Sequence, residues 1–314
     1  MTKVALAGGT AGVGKAIADA LLSRGHDFVL LTRSKISNPH CVIVDYSKID
    51  DLVSILETHN IHTVISAIAI SDEASGQAQM NLIEAASRAA PTMRFMPSEF
   101  GAHYKPENIH LVFPSYVWKF KAAELLEKTD LEFTQISVGI FLDYFAGSVI
   151  PTHLAFVAPT LLDWEHKAAV IPGDGTAKFV MTHTSDAARF AVAALDLPFW
   201  ERRYTVVGDR LSMNEAVATA EKVTGVKFEV AHDSLEDLEN GKVTLNPTFQ
   251  AMMEGADKAT LEATTVMLAK SSKLVVEGHL DLNPDIALNK LFPDIPVLTL
   301  RRVAELWRDV RLGT

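Results

Sequence analysis

The sequence predicts an α/β fold: a Rossmann-type doubly wound parallel sheet with a smaller mixed C-terminal substrate lobe. Three observations predict it. Six short apolar runs, "VALAG", "DFVLLT", "CVIVDY", "TVISAIA", "MRFMPS" and "FTQISVG", alternate with helix-period segments as far as Gly139. Those runs lack strict apolar–polar alternation, as strands covered on both faces do. Between the first strand and the first helix, no side chain from Ala7 to Gly14 is larger than that of valine.

The elements follow in order. Val13, Ile17 and Leu21 form the apolar stripe of a first helix, and Leu52, Ile55 and Leu56 that of a second. Strand–helix alternation of this kind implies parallel strands joined by right-handed crossovers. After Tyr144 the rhythm breaks. "AAVIPGDGTAKFVMT" reads as two strands joined by a tight Gly173-Asp174-Gly175 turn. "HTSDAARFAVAALDL" opens a helix with Thr184, Ser185 or Asp186 as its N-cap. "RRYTVVGD" is a further strand, and Ser212 with Glu215 forms a capping box before the next helix. The stretch from Asp233 to Gly278 is charged and mainly helical, and "LTLRRVAELWRDV" is an amphipathic helix. No internal repeat is visible. Residues 1–150 therefore read as a dinucleotide-binding domain and 151–314 as the substrate lobe, with segments near 178–208 returning to the first domain.

Composition excludes several classes. A net charge of −10 and the lack of any Lys/Arg-rich run argue against a nucleic-acid partner. Cys41 is the only cysteine, so neither an intrachain disulfide nor a thiolate metal cluster can form. The chain enters a strand almost at once, which leaves no room for a cleavable signal. The uncharged stretch from Tyr144 to Leu162 nears spanning length, but two prolines, two threonines and His153 interrupt it. It reads as a buried, broken segment, and the expected location is cytoplasmic, with no membrane contact.

Gly8, Gly12 and Gly14 form G-x-x-x-G-x-G between a strand and a helix. Glycine there lets the chain turn sharply and lets backbone N–H groups approach a pyrophosphate at the helix N-terminus. Thr10 and Val13 belong to the same lining. A purely structural turn is the alternative, and the position after the first strand of an alternating pattern favours a dinucleotide. The second strand ends in "LLTRSK", without the acidic residue that holds a ribose 2′-hydroxyl. Arg33 in that stretch can grip a 2′-phosphate and stack on adenine, so the expected cofactor is NADPH. Asp45 and Tyr46 border the adenine or simply end the third strand.

Several stretches together resemble the isoflavone reductase-like and NmrA-like group of atypical short-chain dehydrogenases/reductases. They are "GGTAGVG", "RFMPSEFG", "KFKAAELLEKTDLEFTQISVGIFLDYF", "GDGTAKFVMTHTSDAARF", "LSMNEAV" and "LFPDIPVLTLRRVAEL", in the family's order over nearly the whole chain. Ala11 departs from the group's frequent G-x-x-G-x-x-G. Ala123 and Glu124 replace an arginine pair of the plant reductases, which puts the substrates of those enzymes in doubt here.

The resemblance implies a cleft between the two lobes and a lysine that acts beside the nicotinamide. By register that is Lys119, with Lys121 as the competitor. Lys119 shares a row with Ala122 and Leu126, whereas Lys121 lies roughly 200° around the helix from Lys119. Such a lysine can hold the ribose, protonate a developing oxyanion or act as a base. Tyr116, three residues before Lys119, is a candidate auxiliary acid or a packed aromatic. The resemblance further places Ser98 and Phe100 of "PSEFG" at the nicotinamide half, with Phe141 packing on the ring. His103, His110, His153 and His183 have no metal-ligand spacing.

The resulting expectation is a reductase delivering hydride from NADPH to a small aromatic or conjugated substrate. The rival from another class is an NADP-binding redox sensor that regulates a protein partner without turnover. Redox-neutral chemistry around a bound cofactor is a third reading.

Overall fold

Val4–Ala7 forms β1, whose four residues are all buried; the apolar run has no solvent face to alternate toward. In the computed structural model, residues 3–103, 114–155, 157 and 159–312 are described. From β1 the chain enters α1 (Gly12–Ser23), β2 (Phe28–Thr32), β3 (Cys41–Ile43), α2 (Ile49–Thr58), β4 (Thr63–Ser66), α3 (Glu73–Arg88), β5 (Arg94–Met96), α4 (Val117–Leu126) and β6 (Glu132–Phe133). The six strands make one parallel sheet in the order β3-β2-β1-β4-β5-β6. Its order reverses beside β1, which sits between β2 and β4 with Val4 opposite both Phe28 and Thr63. That is where open α/β sheets hold ligands, beyond the carboxyl ends of the strands.

The remainder is built from short strands: β7 (Gln135–Ser137), β8 (Ile140–Phe141), β9 (Leu162–Asp163), β10 (Ala168–Pro172), β11 (Lys178–Thr182), β12 (Arg203–Thr205), β13 (Asp209–Ser212) and β14 (Glu229–Asp233). Helices α5 (Asp143–Ala146), α6 (Thr184–Ala193), α7 (Met213–Thr224), α8 (Leu235–Glu239), α9 (Pro247–Met252), α10 (Lys258–Val276), α11 (Leu288–Leu291) and α12 (Leu300–Leu312) complete it. Ser212 and Glu215 form the expected capping box on α7. Ala187, Ala188, Phe190 and Ala191 of α6 share one core with Leu6 of β1 and Ile17 of α1. A second core, around Phe145, Phe179, Met213 and Trp307, lies beneath the smaller sheets.

Three local expectations need correction. The strands either side of Gly173-Asp174-Gly175 do not pair with each other. β10 lies between β14 and β9, while β11 lies between β13 and β8. Both edges of each strand are thus satisfied elsewhere, and the turn passes between two sheets. The Asp174 carboxylate accepts from Thr176 N–H at 2.9 Å, and the Asn214 amide donates to Asp174 O at 2.9 Å.

The N-cap of α6 is His183, one residue earlier than expected; Ser185 N–H donates to its ring nitrogen at 3.2 Å. The stretch from Tyr144 to Leu162 is broken as expected but is not buried throughout. Phe145, Ala146, Ile150 and Leu162 are buried, whereas Pro151, His153 and Ala155 are exposed. Among the described residues, no helix is long and apolar enough to cross a membrane.

Candidate active site

The glycine loop is built by two kinds of necessity. Gly8 has φ of +79°, and a Cβ there would lie 2.5 Å from the Ala67 carbonyl oxygen at the end of β4. A Cβ on Gly14 would lie 2.1 Å from Gly8 O, so glycine lets α1 approach the strand. These two glycines serve the fold itself. Gly12 differs: its φ is +55°, yet a Cβ there would meet only Leu154, at 3.8 Å. The loop itself sends no side chain over Gly12; what lies above it is Leu154, at van der Waals distance. Helix α1 begins without a side-chain cap and without an acidic residue in its first turn. Its positive end faces whatever rests on the loop.

The segment Thr152–Leu154 passes over that loop. His153 O accepts the Gly12 N–H at 2.8 Å, and the His153 ring reaches Asp19 of α1 at 2.9 Å. The Thr152 hydroxyl donates to Asp143, a buried carboxylate that also accepts from the Thr184 N–H and hydroxyl. His153, expected only to be no metal ligand, is thus part of the glycine-loop surroundings.

Arg33 follows β2 directly and is exposed. Thr10 is exposed, and Val13 is half-buried against the core. A cavity of about 300 Å³ beside the loop is bordered by Thr10, Lys15, Ser37, Asn38 and His40; Arg33 does not line it. Lys15, which borders this cavity and pairs with Asp19, carries no signal in the sequence, since a lysine in the first turn of an amphipathic helix looks like solvated surface. Tyr46 is buried, its hydroxyl donating to Leu31 O at 3.0 Å, and burial pushes that hydroxyl far above its ordinary pKa. It therefore stays protonated.

The second half of the site follows β5. Ser98 is half-buried, with its N–H donating to the Gln79 side chain at 2.8 Å. Glu99 and Phe100 are buried, and Phe100 has φ of +30°, a strained value for a residue with a Cβ. Lys119 of α4 is 8% exposed, and its Nζ donates to Glu99 O at 2.8 Å. The same Nζ lies 4.6 Å from the centre of the Tyr116 ring. Ala122 and Leu126 are buried in line with Lys119, while exposed Lys121 folds over Trp118 at 3.9 Å. Of the two lysines, only Lys119 turns toward the β5 end.

Phe100, Tyr116, Phe141, Tyr144, Phe249 and Met267 line a cavity of about 1010 Å³. Phe141 is half-buried, with its ring centre 6.4 Å from that of Tyr144. Burial foremost, then the neighbouring Tyr116 and Asp143, raises the Tyr144 hydroxyl above its ordinary pKa. It is a neutral donor at physiological pH. His183 is buried by Asp143 and His103 is exposed. His110 lies outside the described residues. Among the described residues, no group of three His, Cys, Asp or Glu side chains could hold a metal ion.

A site on this topology, with a glycine loop at one strand end and a lysine at another, invites comparison with known proteins. The model of the NmrA-like family matches residues 1–283. The chain belongs to that family. Oxidoreductase BOA1 of Botryotinia fuckeliana is 41% identical over 235 residues, 73% of this chain and 78% of that protein. Oxidoreductase swnN of Metarhizium robertsii is 31% identical over 327 residues, 94% of both proteins. Among solved structures, AtPrR2 with NADP+ and (+)pinoresinol is 22% identical and superposes with a TM-score of 0.73, covering 98% of each chain. That likeness shows the shared fold. This NmrA-like protein is an oxidoreductase of the isoflavone reductase-like type.

Proposed function

We propose that this NmrA-like protein is an NADPH-dependent reductase that delivers hydride to a small aromatic or conjugated organic substrate. The observation that carries the reading is the burial of Lys119 between the β5 turn and the ring of Tyr116, which itself borders the large aromatic-lined cavity. That volume suits one small ligand, and its apolar walls suit a flat ring better than a sugar. The solved AtPrR2 structure, which holds NADP+ and (+)pinoresinol, supports the pairing of a nicotinamide cofactor with a small organic molecule on this fold.

The residues present fit the dinucleotide. Gly12 adds no side chain where a pyrophosphate approaches, and α1 offers an N-terminus with no side-chain cap and no acidic residue in its first turn, although its Gly12 N–H is held by His153 O. Gly8 and Gly14 hold that cradle, with Thr10 and Val13 at its rim. No carboxylate stands beside Arg33 in "LLTRSK", so that stretch offers a guanidinium and no repelling charge to a 2′-phosphate. Ser98, Phe100 and Phe141 border the nicotinamide half in this reading. NADPH, when bound, supplies the hydride.

Lys119 then holds the reacting oxygen and gives it a proton as negative charge develops. Burial of the lysine excludes water that would compete for that proton. Tyr144, kept neutral, can orient a polar group of the substrate from the cavity wall. Residues 1–150 form the cofactor domain and 151–314 the substrate lobe in this scheme. The shared core of α6 with β1 and α1 supports the return of 178–208 to the first domain.

The test is a screen of aromatic and conjugated carbonyls, enones and benzylic ethers, followed by the loss of NADPH absorbance. Turnover of at least one class is expected, with Lys119→Ala abolishing most of it. Tight NADPH binding with no turnover across the screen would overturn the reading.

A further inference from the structure

Behind the turn after β5 a relay runs from a buried carboxylate to a half-buried guanidinium, and the proposed chemistry does not use it. Glu99 is 6% exposed, and its carboxylate accepts from the Gln135 side-chain amide at 3.0 Å. The oxygen of that amide accepts from Arg203 at 2.6 Å, and Arg203 also donates to the Ser137 hydroxyl at 3.2 Å. Gln135 on β7 stands directly opposite Arg203 on β12 in a parallel pair. A carboxylate, an amide and a guanidinium are therefore strung behind the site, anchored on two strands.

Burying this set costs solvation, since each member leaves water. Burial lowers the Arg203 pKa from its ordinary value, and the Glu99 charge opposes that shift. A purely structural link between two strands does not require a buried carboxylate at its end. What the relay holds is the Glu99 backbone. Glu99 N–H donates to Pro97 O at 2.9 Å, and Phe100 follows with φ of +30°. A tight turn with a strained residue persists only where its surroundings over-determine it. The Glu99 carbonyl, fixed in this way, is the acceptor for Lys119 Nζ at 2.8 Å.

We infer that Glu99 is a positioning residue: its carboxylate, tied through Gln135 to Arg203, holds the carbonyl that fixes the Lys119 ammonium beside the Tyr116 ring, which borders the cavity. The inference rests on the reductase reading for its purpose, but the arrangement is tested without turnover. It concerns geometry more than charge. Glu99→Gln keeps an oxygen for the Gln135 amide and should preserve the turn, whereas Glu99→Ala removes the anchor.

The experiment is trace labelling of lysines with acetic anhydride across a pH series, read by peptide mass spectrometry on the full chain. Lys121, exposed on the same helix, is the internal reference. In the wild type, Lys119 should label more slowly than Lys121. In Glu99→Ala the Lys119/Lys121 ratio should rise about tenfold, the low end for losing a charge-assisted hydrogen bond. Glu99→Gln should remain within about twofold of wild type, as a conservative rescue of the same contacts.

A Glu99→Ala protein that is folded by circular dichroism yet keeps the wild-type ratio overturns the inference. An equal rise for Lys119 and Lys121, which signals general loosening, overturns it too. Should Glu99→Ala fail to fold, Arg203→Met decides from the far end of the relay: a raised ratio supports the inference and an unchanged one overturns it. None of these readouts depends on a substrate, so a failure of the reductase reading is recognised separately, by the screen.

Discussion

Two turns leave the carboxyl edge of the same sheet, one after β1 and one after β5, and they solve opposite problems. The turn after β1 removes side chains. Gly8 and Gly14 let backbone approach backbone, and Gly12 adds no side chain of its own. The turn after β5 imports side chains from elsewhere. Gln79, Lys119 and Gln135 converge on Ser98 and Glu99, and Phe100 takes a positive φ without being glycine. A bare backbone surface with a helix end suits a phosphate, which any N–H can hold. A surface of fixed side chains suits a reaction, which needs one group in one place.

The largest expected effect tests the first turn as architecture. Gly14→Ala puts a methyl group into the Gly8 carbonyl, where neither backbone can yield cheaply. It should cost roughly 3 kcal/mol or more in stability, at the upper end for overpacking. Gly12→Val should behave differently: the fold survives at the cost of about 1–2 kcal/mol of backbone strain, and cofactor binding is lost. Urea unfolding read beside NADPH titration separates the two. If Gly12→Val binds NADPH normally, the phosphates do not lie on this turn.

Next comes the second turn as chemistry. Lys119→Ala should lower turnover by roughly a hundredfold, whereas Lys121→Ala should remain within a few-fold of wild type. Steady-state kinetics on the best substrate of the screen measures both. Equal losses in the two variants would mean that the placement of α4, and not the buried lysine, controls the rate.

The same contrast explains what could be read from the amino-acid sequence. The sheet and the glycine loop were legible because both are local: an apolar run, a stripe and a spacing each lie within twenty residues. Lys119 was preferred over Lys121 from the resemblance and its row on the helix, and its burial agrees with that row. The relay from Glu99 to Arg203 was not legible. Its members lie 36 and 68 residues apart along the chain, and no short pattern joins them. Nor was the separation of β10 from β11, since a Gly-Asp-Gly turn looks the same whether it closes a hairpin or crosses between sheets. A glutamate within "PSEFG", at the carboxyl end of a parallel strand, was the one signal that merited a question.

Cofactor choice gives the next smaller effect. If Arg33 pairs with a 2′-phosphate, NADPH should bind at least tenfold tighter than NADH, about 1.4 kcal/mol. Arg33→Ala should erase most of that difference, lowering NADPH affinity more than NADH affinity, which loses only the stacking on adenine. Calorimetry with both cofactors on both proteins decides it. Because Arg33 does not border the 300 Å³ cavity beside Thr10 and Lys15, an unchanged preference in Arg33→Ala would point to Lys15 instead.

The smallest effect asks whether the first turn is truly a backbone surface. The segment over it touches Gly12 through a carbonyl, which His153→Ala leaves in place. What the substitution removes is the ring's contact with Asp19, between side chains 43% and 47% exposed. Exposed pairs of this kind contribute about 0–1 kcal/mol and are screened by salt. His153→Ala should therefore change NADP+ affinity by no more than about threefold, and by less at high ionic strength. Calorimetry at two salt concentrations reads both. A loss of tenfold or more that persists in high salt would place the imidazole itself against the phosphates. The turn after β1 would then depend, like the turn after β5, on a side chain brought in from far along the chain.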